Sequence, residues 1–165
     1  MFRLMQERPE DGAEVEWLLD LAFGPGRTGL SSYQLRQGVD PVADLSTIAR
    51  DEYDVLAGAI RYWPVAIGDA RDPALLLGPV AVHPTRQGEG LGALLIIESL
   101  ELARDAGWSR VLLVGDAPYY ARFGFSRDMT LKLDFPRPYN PDRLLGRALV
   151  EGAFSGCSGM VHSTR

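Results

Sequence analysis

The sequence predicts one α/β domain, residues 1–165, with a mixed, mostly antiparallel sheet of about six or seven strands and about four helices. Its length fits a single domain with one core. Apolar patterns of strand type and helix type alternate along it. In the second half, a strand, a helix and another strand follow one another, and a helical crossover of this kind places its two strands parallel.

The composition indicates a globular domain that binds neither nucleic acid nor membrane. Hydrophobic residues make up 46% and the net charge is −5, whereas nucleic-acid-binding domains are more often basic. No apolar stretch reaches the ~20 residues of a membrane span. The single cysteine, Cys157, fits a reducing compartment, and we expect the cytoplasm. With one cysteine and two histidines, the sequence predicts no metal site.

The first part of the chain predicts a strand followed by two helices. Residues 2–5 have a strand pattern, and residues 9–23 have helical spacing with acidic side chains in the first turn, where the helix dipole favours them. A glycine–proline segment then ends this helix. A short second helix is predicted over residues 33–37, capped by Ser31 or Ser32.

An antiparallel meander follows. Residues 45–50 and 55–67 predict a hairpin, because the second segment is rich in Val, Ile, Tyr and Trp. Residues 75–82 are apolar without alternation, which is typical of a strand covered on both faces. Gly78–Pro79 interrupts this strand, and because proline has no N–H, we expect a bulge there or a parting of two strands.

The last part of the chain predicts one helix and three strands. The helix covers residues 91–106, and residues 110–114 form the parallel strand after it. Residues 129–135 and 144–154 are predicted as further strands, the second of them returning antiparallel to the sheet. The tail from Ser155 is small and polar, and we expect its end to be mobile.

A glycine-rich turn stands between the central strand and its helix. Gly88, Gly90 and Gly92 alternate just before the helix begins. Glycine accepts positive φ and lets the backbone approach a ligand closely, and the first N–H groups of a helix have no partner within it. The pattern therefore predicts a site for phosphate or pyrophosphate. The alternative is that the glycines only let the helix begin close to the sheet.

Two familiar phosphate-binding patterns fit this turn less well. A P-loop would end in Gly-Lys-Ser/Thr, but Gly92 is followed by Ala93 and Leu94. A dinucleotide fingerprint is formally present in Gly88, Gly90 and Ala93. That fingerprint normally opens a doubly wound domain, whereas too little chain follows it here, so a nicotinamide-dependent oxidoreductase is the weakest of our functional hypotheses.

Two segments resemble a known family. Val80–Pro84, followed by Gln87, Gly90 and Gly92, resembles motif A of the GNAT superfamily, the Gcn5-related N-acetyltransferases. Tyr120–Phe125 resembles the Y-x-x-x-G-F segment of the same family. Both segments occur in the expected order with one helix and one strand between them, which is more specific than either alone.

The resemblance implies a binding site for acetyl-coenzyme A as the acyl donor. In the family, the fourth and fifth strands splay, the pantetheine arm lies between them like an extra strand, and the backbone amides of the glycine turn hold the pyrophosphate. Carried over to this sequence, the backbone contacts would come from Val80, Ala81, Val82, Gln87, Gly88, Glu89, Gly90, Leu91, Gly92 and Ala93.

Tyr120 matches the tyrosine of the family segment, and we expect it to act as the general acid. Tyrosine has a pKa of about 10 and a thiol about 8.5, so a tyrosine beside the sulfur can protonate the departing thiolate with little penalty. Tyr119 is the fallback, although packing onto the sheet is its more natural role. The competing interpretation is that both rings only pack a short helix against the sheet.

The general base is less evident. Many family members use a glutamate on the central strand, but residues 75–82 contain no acidic side chain. Asp116 is a tentative catalytic residue, and it could instead cap the helix at Ala117 or contact the cofactor. His83 and Glu52 are weaker candidates, and water can serve if the amine has a low pKa.

The resemblance also implies that the segment connecting the first two strands lines the acceptor pocket. Arg27, Tyr33 and Arg36 could there contact an anionic part of a substrate, or they could be ordinary surface side chains. Our leading hypothesis is direct transfer of acetyl to a primary amine of a small molecule or peptide. The alternative is a non-catalytic acyl-coenzyme A sensor on the same fold. A homodimer is expected from the resemblance alone, and the sequence identifies neither the acceptor nor the length of the acyl group.

Overall fold

Eight strands and three α-helices make up the fold, which a computed structural model describes over residues 1–165. The strands are β1 (Arg3–Gln6), β2 (Thr47–Arg50), β3 (Leu56–Ile67), β4 (Asp72–Val82), β5 (Arg110–Val114), β6 (Leu133–Asp134), β7 (Leu144–Ala148) and β8 (Gly159–Ser163). The α-helices are α1 (Gly12–Phe23), α2 (Leu91–Asp105) and α3 (Ala117–Ala121). None of them is both long enough and apolar enough to span a membrane.

The sheet is mixed and mostly antiparallel, as the sequence predicts. Its main path runs β1-β2-β3-β4-β5-β7, and β8 pairs with the far end of β3 and with β6. Only two pairs are parallel, β4 with β5 and β6 with β8. This topology is not the doubly wound parallel sheet that a dinucleotide fingerprint normally opens.

The central parallel strands are splayed, which confirms the expectation from the resemblance. β4 and β5 are in register only at Leu75–Val111 and Leu76–Leu112. Beyond that point, β5 continues beside β7 while β4 stays with β3. The partner register of β4 also shifts between Ile60 and Tyr62 of β3, so that Gly78–Pro79 forms the predicted bulge.

Helices α1 and α2 cover opposite faces of the sheet. Neighbouring residues of β3 point to opposite faces, and Ile60 packs in the cluster with α2 whereas Ala59 packs in the cluster with α1. α1 contributes Val15, Leu18 and Leu19, all of them fully buried. The two helices therefore pack on both faces of the sheet, and this packing holds the gap between β4 and β5 in place.

A predicted helix and a predicted strand were wrong before β7. The helix over residues 33–37 is a 3₁₀ turn at Ser31–Leu35, so three α-helices are present instead of about four. The strand over residues 129–135 is a 3₁₀ turn at Arg127–Thr130, followed only by the two-residue β6. The hydroxyl of Thr130 causes this, because it is buried and donates to the carbonyl of Leu144 at 2.6 Å, which holds the segment across β7.

The predicted C-terminal strand and tail also differ from the structure. The strand from Leu144 ends at Ala148, and turns follow before the chain returns as β8. Ala66 pairs with His162, and Ile67 with Val161, so part of the predicted tail forms an eighth strand. Its polar composition misled the prediction because strand pairing uses the backbone, and Val161 alone supplies a fully buried side chain.

Candidate active site

Two cavities open in the gap between β4 and β5. The first, of about 420 Å³, runs along the glycine turn and the beginning of α2. The second, of about 210 Å³, lies beside the bulge at Gly78–Pro79 and under the segment after α1. Phe23, Val80 and Tyr120 line both cavities, so the two spaces meet at these residues. A reaction between molecules in the two cavities would take place there.

The glycine turn has the geometry of an anion site. Gly88 and Gly90 have φ of 86° and 78°, and nothing lies within 4 Å of the position of a Cβ on either. The N–H of Leu94 donates to the carbonyl of Gly90 at 3.1 Å, so the preceding amides of α2 have no partner within the helix. These amides, and the positive end of the helix dipole, fit a pyrophosphate.

Most of the predicted cofactor residues line the first cavity. They are Val80, Ala81, Val82, Gln87, Gly88, Gly90, Leu91, Gly92 and Ala93. Glu89 does not line it, and its carboxylate instead pairs with Arg86 at 3.0 Å. The contact expected of Glu89 is made by its backbone, and the ion pair of its side chain with Arg86 does not prevent that contact.

The backbone of β4 faces the gap at two residues. The N–H of His83 donates to the carbonyl of Ala57 at 2.8 Å. Hydrogen-bonded and non-bonded pairs alternate in an antiparallel ladder, so the N–H and C=O groups of Val80 and Val82 point away from β3. Since β5 has already left β4, these groups have no strand partner and are free for an extended ligand.

Sequence reasoning missed two arginines at the first cavity. Arg86 lines it while pairing with Asp51 at 3.4 Å, and Arg122 lines it with its guanidinium over the rings of Tyr119 and Phe123. Arg122 lies inside the segment that resembles the family, so its position was available as a signal. Arg122 has no carboxylate partner and adds positive charge near the glycine turn, whereas the charge of Arg86 is balanced by Asp51 and Glu89.

Tyr120 lies where the two cavities meet. Its ring is held edge-on by Tyr119, 5.0 Å between centroids, and by Phe125 at 6.0 Å. Gly115 lets the ring come close, because a Cβ there would lie 2.6 Å from Cε2 of Tyr120. Burial, and next the neighbouring Tyr119, raise the pKa of Tyr120 above that of an ordinary tyrosine. Tyr119 lines only the first cavity.

The candidate bases lie outside both cavities. The carboxylate of Asp116 accepts from the N–H of Tyr119 at 3.1 Å and caps α3. His83 accepts from the N–H of Thr85, and Glu52 pairs with the amino group of Met1 at 3.1 Å. No aspartate, glutamate or histidine lines either cavity. The structure thus brings Tyr120 together with the cofactor residues, but none of the candidate bases.

Two arginines line the second cavity, and their surroundings differ. Arg27 is buried and bonded to Glu16, Asp20 and the hydroxyl of Tyr33. Burial works against its charge, but these hydrogen bonds outweigh it and raise the pKa of Arg27. Arg36 stacks on the rings of Tyr33 and Trp63, with its Cζ 4.3 Å and 5.5 Å from their centroids.

The guanidinium of Arg36 lacks partners. Its Nε and Nη1 atoms are buried and make no hydrogen bond. Burial lowers the pKa of Arg36 to about 10, the largest effect on it. The sequence names Arg27, Tyr33 and Arg36 as a group, and the structure brings all three to the second cavity, where only Arg36 lies outside the hydrogen-bonded set.

Comparison with known proteins places these features in one family. The acetyltransferase (GNAT) domain model matches residues 44–127. The uncharacterized N-acetyltransferase YhbS of Escherichia coli (strain K12) is 26% identical over 155 residues, which cover 94% of this chain and 92% of that protein.

Two solved structures extend this comparison. A crystal structure of a GNAT family acetyltransferase from Brucella melitensis in complex with acetyl-CoA is 36% identical. It has a TM-score of 0.63 and covers 76% of this chain and 83% of that one. The crystal structure of E. coli YhbS in complex with CoA has a TM-score of 0.85 at 24% identity, over 98% of this chain and 89% of that one, and therefore shows a shared fold.

Proposed function

The chain belongs to the GNAT family of acetyltransferases, and from this premise we propose that it transfers acetyl from acetyl-CoA directly to a primary amine. The observation that carries the proposal is the meeting of two cavities at Tyr120 and Val80. One cavity has the features of a cosubstrate site, and the other is a separate space for an acceptor. Direct transfer needs both molecules to be present together, and this arrangement allows it.

Binding of the cosubstrate is supported by the backbone of this chain. The unpaired amides at the start of α2 suit the pyrophosphate, and the free backbone groups of Val80 and Val82 suit the amide-containing arm. Relatives solved with CoA and with acetyl-CoA agree with this assignment. When bound, the cosubstrate supplies a thioester whose sulfur leaves as the new C–N bond forms.

We propose Tyr120 as the general acid that protonates the departing sulfur. The raised pKa keeps its hydroxyl protonated at neutral pH. An ordinary tyrosine and a thiol differ by only about 1.5 pKa units, and apolar surroundings disfavour both the phenolate and the thiolate. Support comes from its position at both cavities and from the packing of Gly115, Tyr119 and Phe125 around its ring.

The amine must lose a proton, and we assign this step to water. The absence of acidic and histidine side chains from both cavities leaves no protein group to accept it directly. Asp116, the tentative candidate from sequence, is occupied as the cap of α3. A substrate amine whose pKa lies near neutrality, or is lowered on entering the apolar cavity, would need no further base.

The alternative function is a non-catalytic sensor of acyl-CoA. The same absence of a carboxylate from the cavities favours it, because such a protein needs no base. A sensor would bind acetyl-CoA without releasing its thiol to any amine. Cytoplasmic location, a homodimer and the type of acceptor stay predictions.

Calorimetric titration followed by a thiol-release assay tests the proposal. We expect saturable binding of acetyl-CoA and CoA, none of NAD(H), and thiol release on addition of an amine. Binding without release across a broad amine panel would favour the sensor. No binding of either CoA species would contradict both functions, and binding of NAD(H) alone would restore the dinucleotide hypothesis.

A further inference from the structure

We propose that the acceptor is a small amine that carries a carboxylate, and that Arg36 binds this carboxylate in the second cavity. The proposal rests on the proposed acetyl transfer and narrows its substrate class. It makes Arg36 a specificity-determining residue that contacts the acceptor at a group away from the reacting nitrogen.

The charge of the cavity is the first argument. Its lining contains two arginines and no acidic residue. Arg27 is neutralised by Glu16 and Asp20, each at 3.0 Å. Arg61, which lies opposite the bulge of β4, pairs with Glu7 at 2.9 Å and also with Glu16. Arg36 itself is in no such ion pair, so its guanidinium is the one in this lining that contacts no carboxylate of the chain.

The missing hydrogen bonds are the second argument. Polar groups buried in proteins are nearly always paired, because an unpaired one loses its hydration without replacement. Nε and Nη1 of Arg36 are both unpaired, and its burial lowers its pKa. Nη2, the guanidinium nitrogen that is not fully buried, likewise has no partner and lies beside Gly78 of the cavity lining, so a ligand in the cavity can pair with Arg36 through this atom. The lowered pKa still leaves the guanidinium charged at neutral pH.

The position of the guanidinium is the third argument. Stacking on Tyr33 and Trp63 fixes its plane, and Trp63 is itself fixed by donating from Nε1 to the carbonyl of Gly78 at 2.7 Å. Nη2 of Arg36 lies beside Gly78, 3.5 Å from the position that a Cβ would occupy there. The charge is therefore held rigidly next to the bulge, at the side of the gap that the acceptor would occupy.

Size and polarity of the cavity limit what surrounds the carboxylate. Its volume of about 210 Å³ is half the 420 Å³ of the first cavity, which favours a small acceptor. Apolar side chains such as Leu77, Pro79 and Leu113 line it together with Arg36 and Tyr120. These dimensions favour a short apolar linker between the amine and the carboxylate.

The number of charges favours a carboxylate over a phosphate. A guanidinium presents a planar fork that matches either group. A carboxylate carries one negative charge, which the single unpaired arginine balances. A phosphate monoester carries about 1.5 to 2 negative charges near neutral pH and would need a second cation that has no carboxylate partner. Arg27 does not provide it, because two carboxylates already hold its guanidinium.

A substrate series provides the catalytic test. Wild-type protein is assayed by thiol release with ω-amino acids of increasing length, from glycine to 5-aminopentanoate. Each is compared with the alkylamine that lacks the carboxylate, and 2-aminoethylphosphonate is included. We expect one or two of the amino acids to exceed their matched amines in kcat/KM by about 10- to 100-fold, the usual range for a charge-assisted pair.

Variants of Arg36 test whether this residue binds the carboxylate. In Arg36→Met, the KM for the preferred amino acid should rise by about 10- to 100-fold, while turnover of the matched alkylamine and the Kd of acetyl-CoA stay within about twofold. Arg36→Lys should restore part of the preference. Arg104→Met serves as a matched control, because Arg104 is exposed on α2 and pairs only with Glu101.

A binding measurement separates this proposal from acetyl transfer itself. In the presence of CoA, butyrate should raise the Tm of the wild-type protein, butyramide should not, and Arg36→Met should abolish the difference. Carboxylate binding without acetylation of any amine would contradict the transferase but support the anion site. Acetylation of alkylamines as efficient as that of amino acids, a preference for the phosphonate, or unchanged selectivity in Arg36→Met would overturn the carboxylate proposal while leaving the transferase intact.

Discussion

The two cavities that meet at Tyr120 are built from different parts of the chain. Backbone forms the cosubstrate side, from the glycine turn, the first amides of α2 and the free edge of β4. On the acceptor side, the side chains of Tyr33 and Arg36 line the cavity, and Trp63 of a separate segment packs against Arg36. A cosubstrate site made of backbone can be retained while the side chains of the acceptor cavity are substituted. Substrate range in this fold should therefore vary with the side chains after α1.

The largest expected effect lies at the junction of the two sides. Tyr120→Phe should lower kcat by about 100-fold or more, because a general acid contributes about 10²–10⁴ and the phenyl ring keeps the packing. The Kd of acetyl-CoA, measured by calorimetry, should hardly change. Tyr53→Phe is the control, since Tyr53 is exposed and lines neither cavity. Loss of turnover in Tyr119→Phe, with Tyr120→Phe unaffected, would transfer the role to Tyr119.

Gly115→Ala tests whether position alone matters at the junction. A methyl group there would lie 2.6 Å from the ring of Tyr120 and would push it aside. Displacement of a catalytic group by about 1 Å can cost about 100-fold, so we expect kcat to fall by about 10- to 100-fold. The Kd of acetyl-CoA should be retained, and the circular dichroism spectrum should match that of the wild type. Full turnover in a folded variant would argue against a precise role for Tyr120.

Gly90→Ala tests the backbone-built side. Gly90 has φ of 78°, where an alanine costs about 1–2 kcal/mol, so the turn should relax away from its anion-binding shape. We expect the Kd of CoA to rise by about 5- to 30-fold, with the rank order of amine substrates unchanged. Gly12→Ala provides the control, because Gly12 has open space around it and a helical backbone. An altered amine preference would show that the two sides are not separable.

The smallest expected effect is a difference in stability between a variant of an arginine with ion-pair partners and a variant of one without them. Arg27→Met leaves Glu16 and Asp20 without their common partner and should lower the free energy of unfolding by about 1–2 kcal/mol. Arg36→Met removes a buried cation without partners and should cost little or nothing. Urea denaturation of the two variants beside the wild type measures both. A larger loss for Arg36→Met would indicate that Arg36 serves stability.

The difference between the two sides also explains what the sequence could predict. The glycine turn was found because its residues are contiguous and their backbone requirements are visible in the letters. Arg27 and Arg36 look alike in sequence, and only the folded chain brings Glu16 and Asp20 of α1 to one of them. Ion pairs between residues distant in sequence determine the charge of a cavity, and they produce no pattern in the local sequence.

The same reasoning applies to the fold. The long elements β3, β4 and α2 were predicted closely because many apolar residues define each of them. β6 has only two residues and was predicted too long, over residues 129–135, and β8 was missed because it pairs mainly through its backbone. Such strands depend on a neighbour that the local sequence does not specify.

The short contact between β4 and β5 has a consequence for the lifetime of the protein. Two ladder positions join the strands, and the backbone groups of β4 beyond them have no hydrogen-bond partner in a neighbouring strand. A ligand that binds only the folded form adds RT ln(1 + [L]/Kd) to the free energy of unfolding, about 2.7 kcal/mol at 100 times Kd. Proteases in the cell act on unfolded chains, so copies of this protein should persist longest when CoA and acetyl-CoA, which share the groups expected to bind here, are together abundant. The gap in the sheet would thus link the abundance of the protein to the supply of coenzyme A.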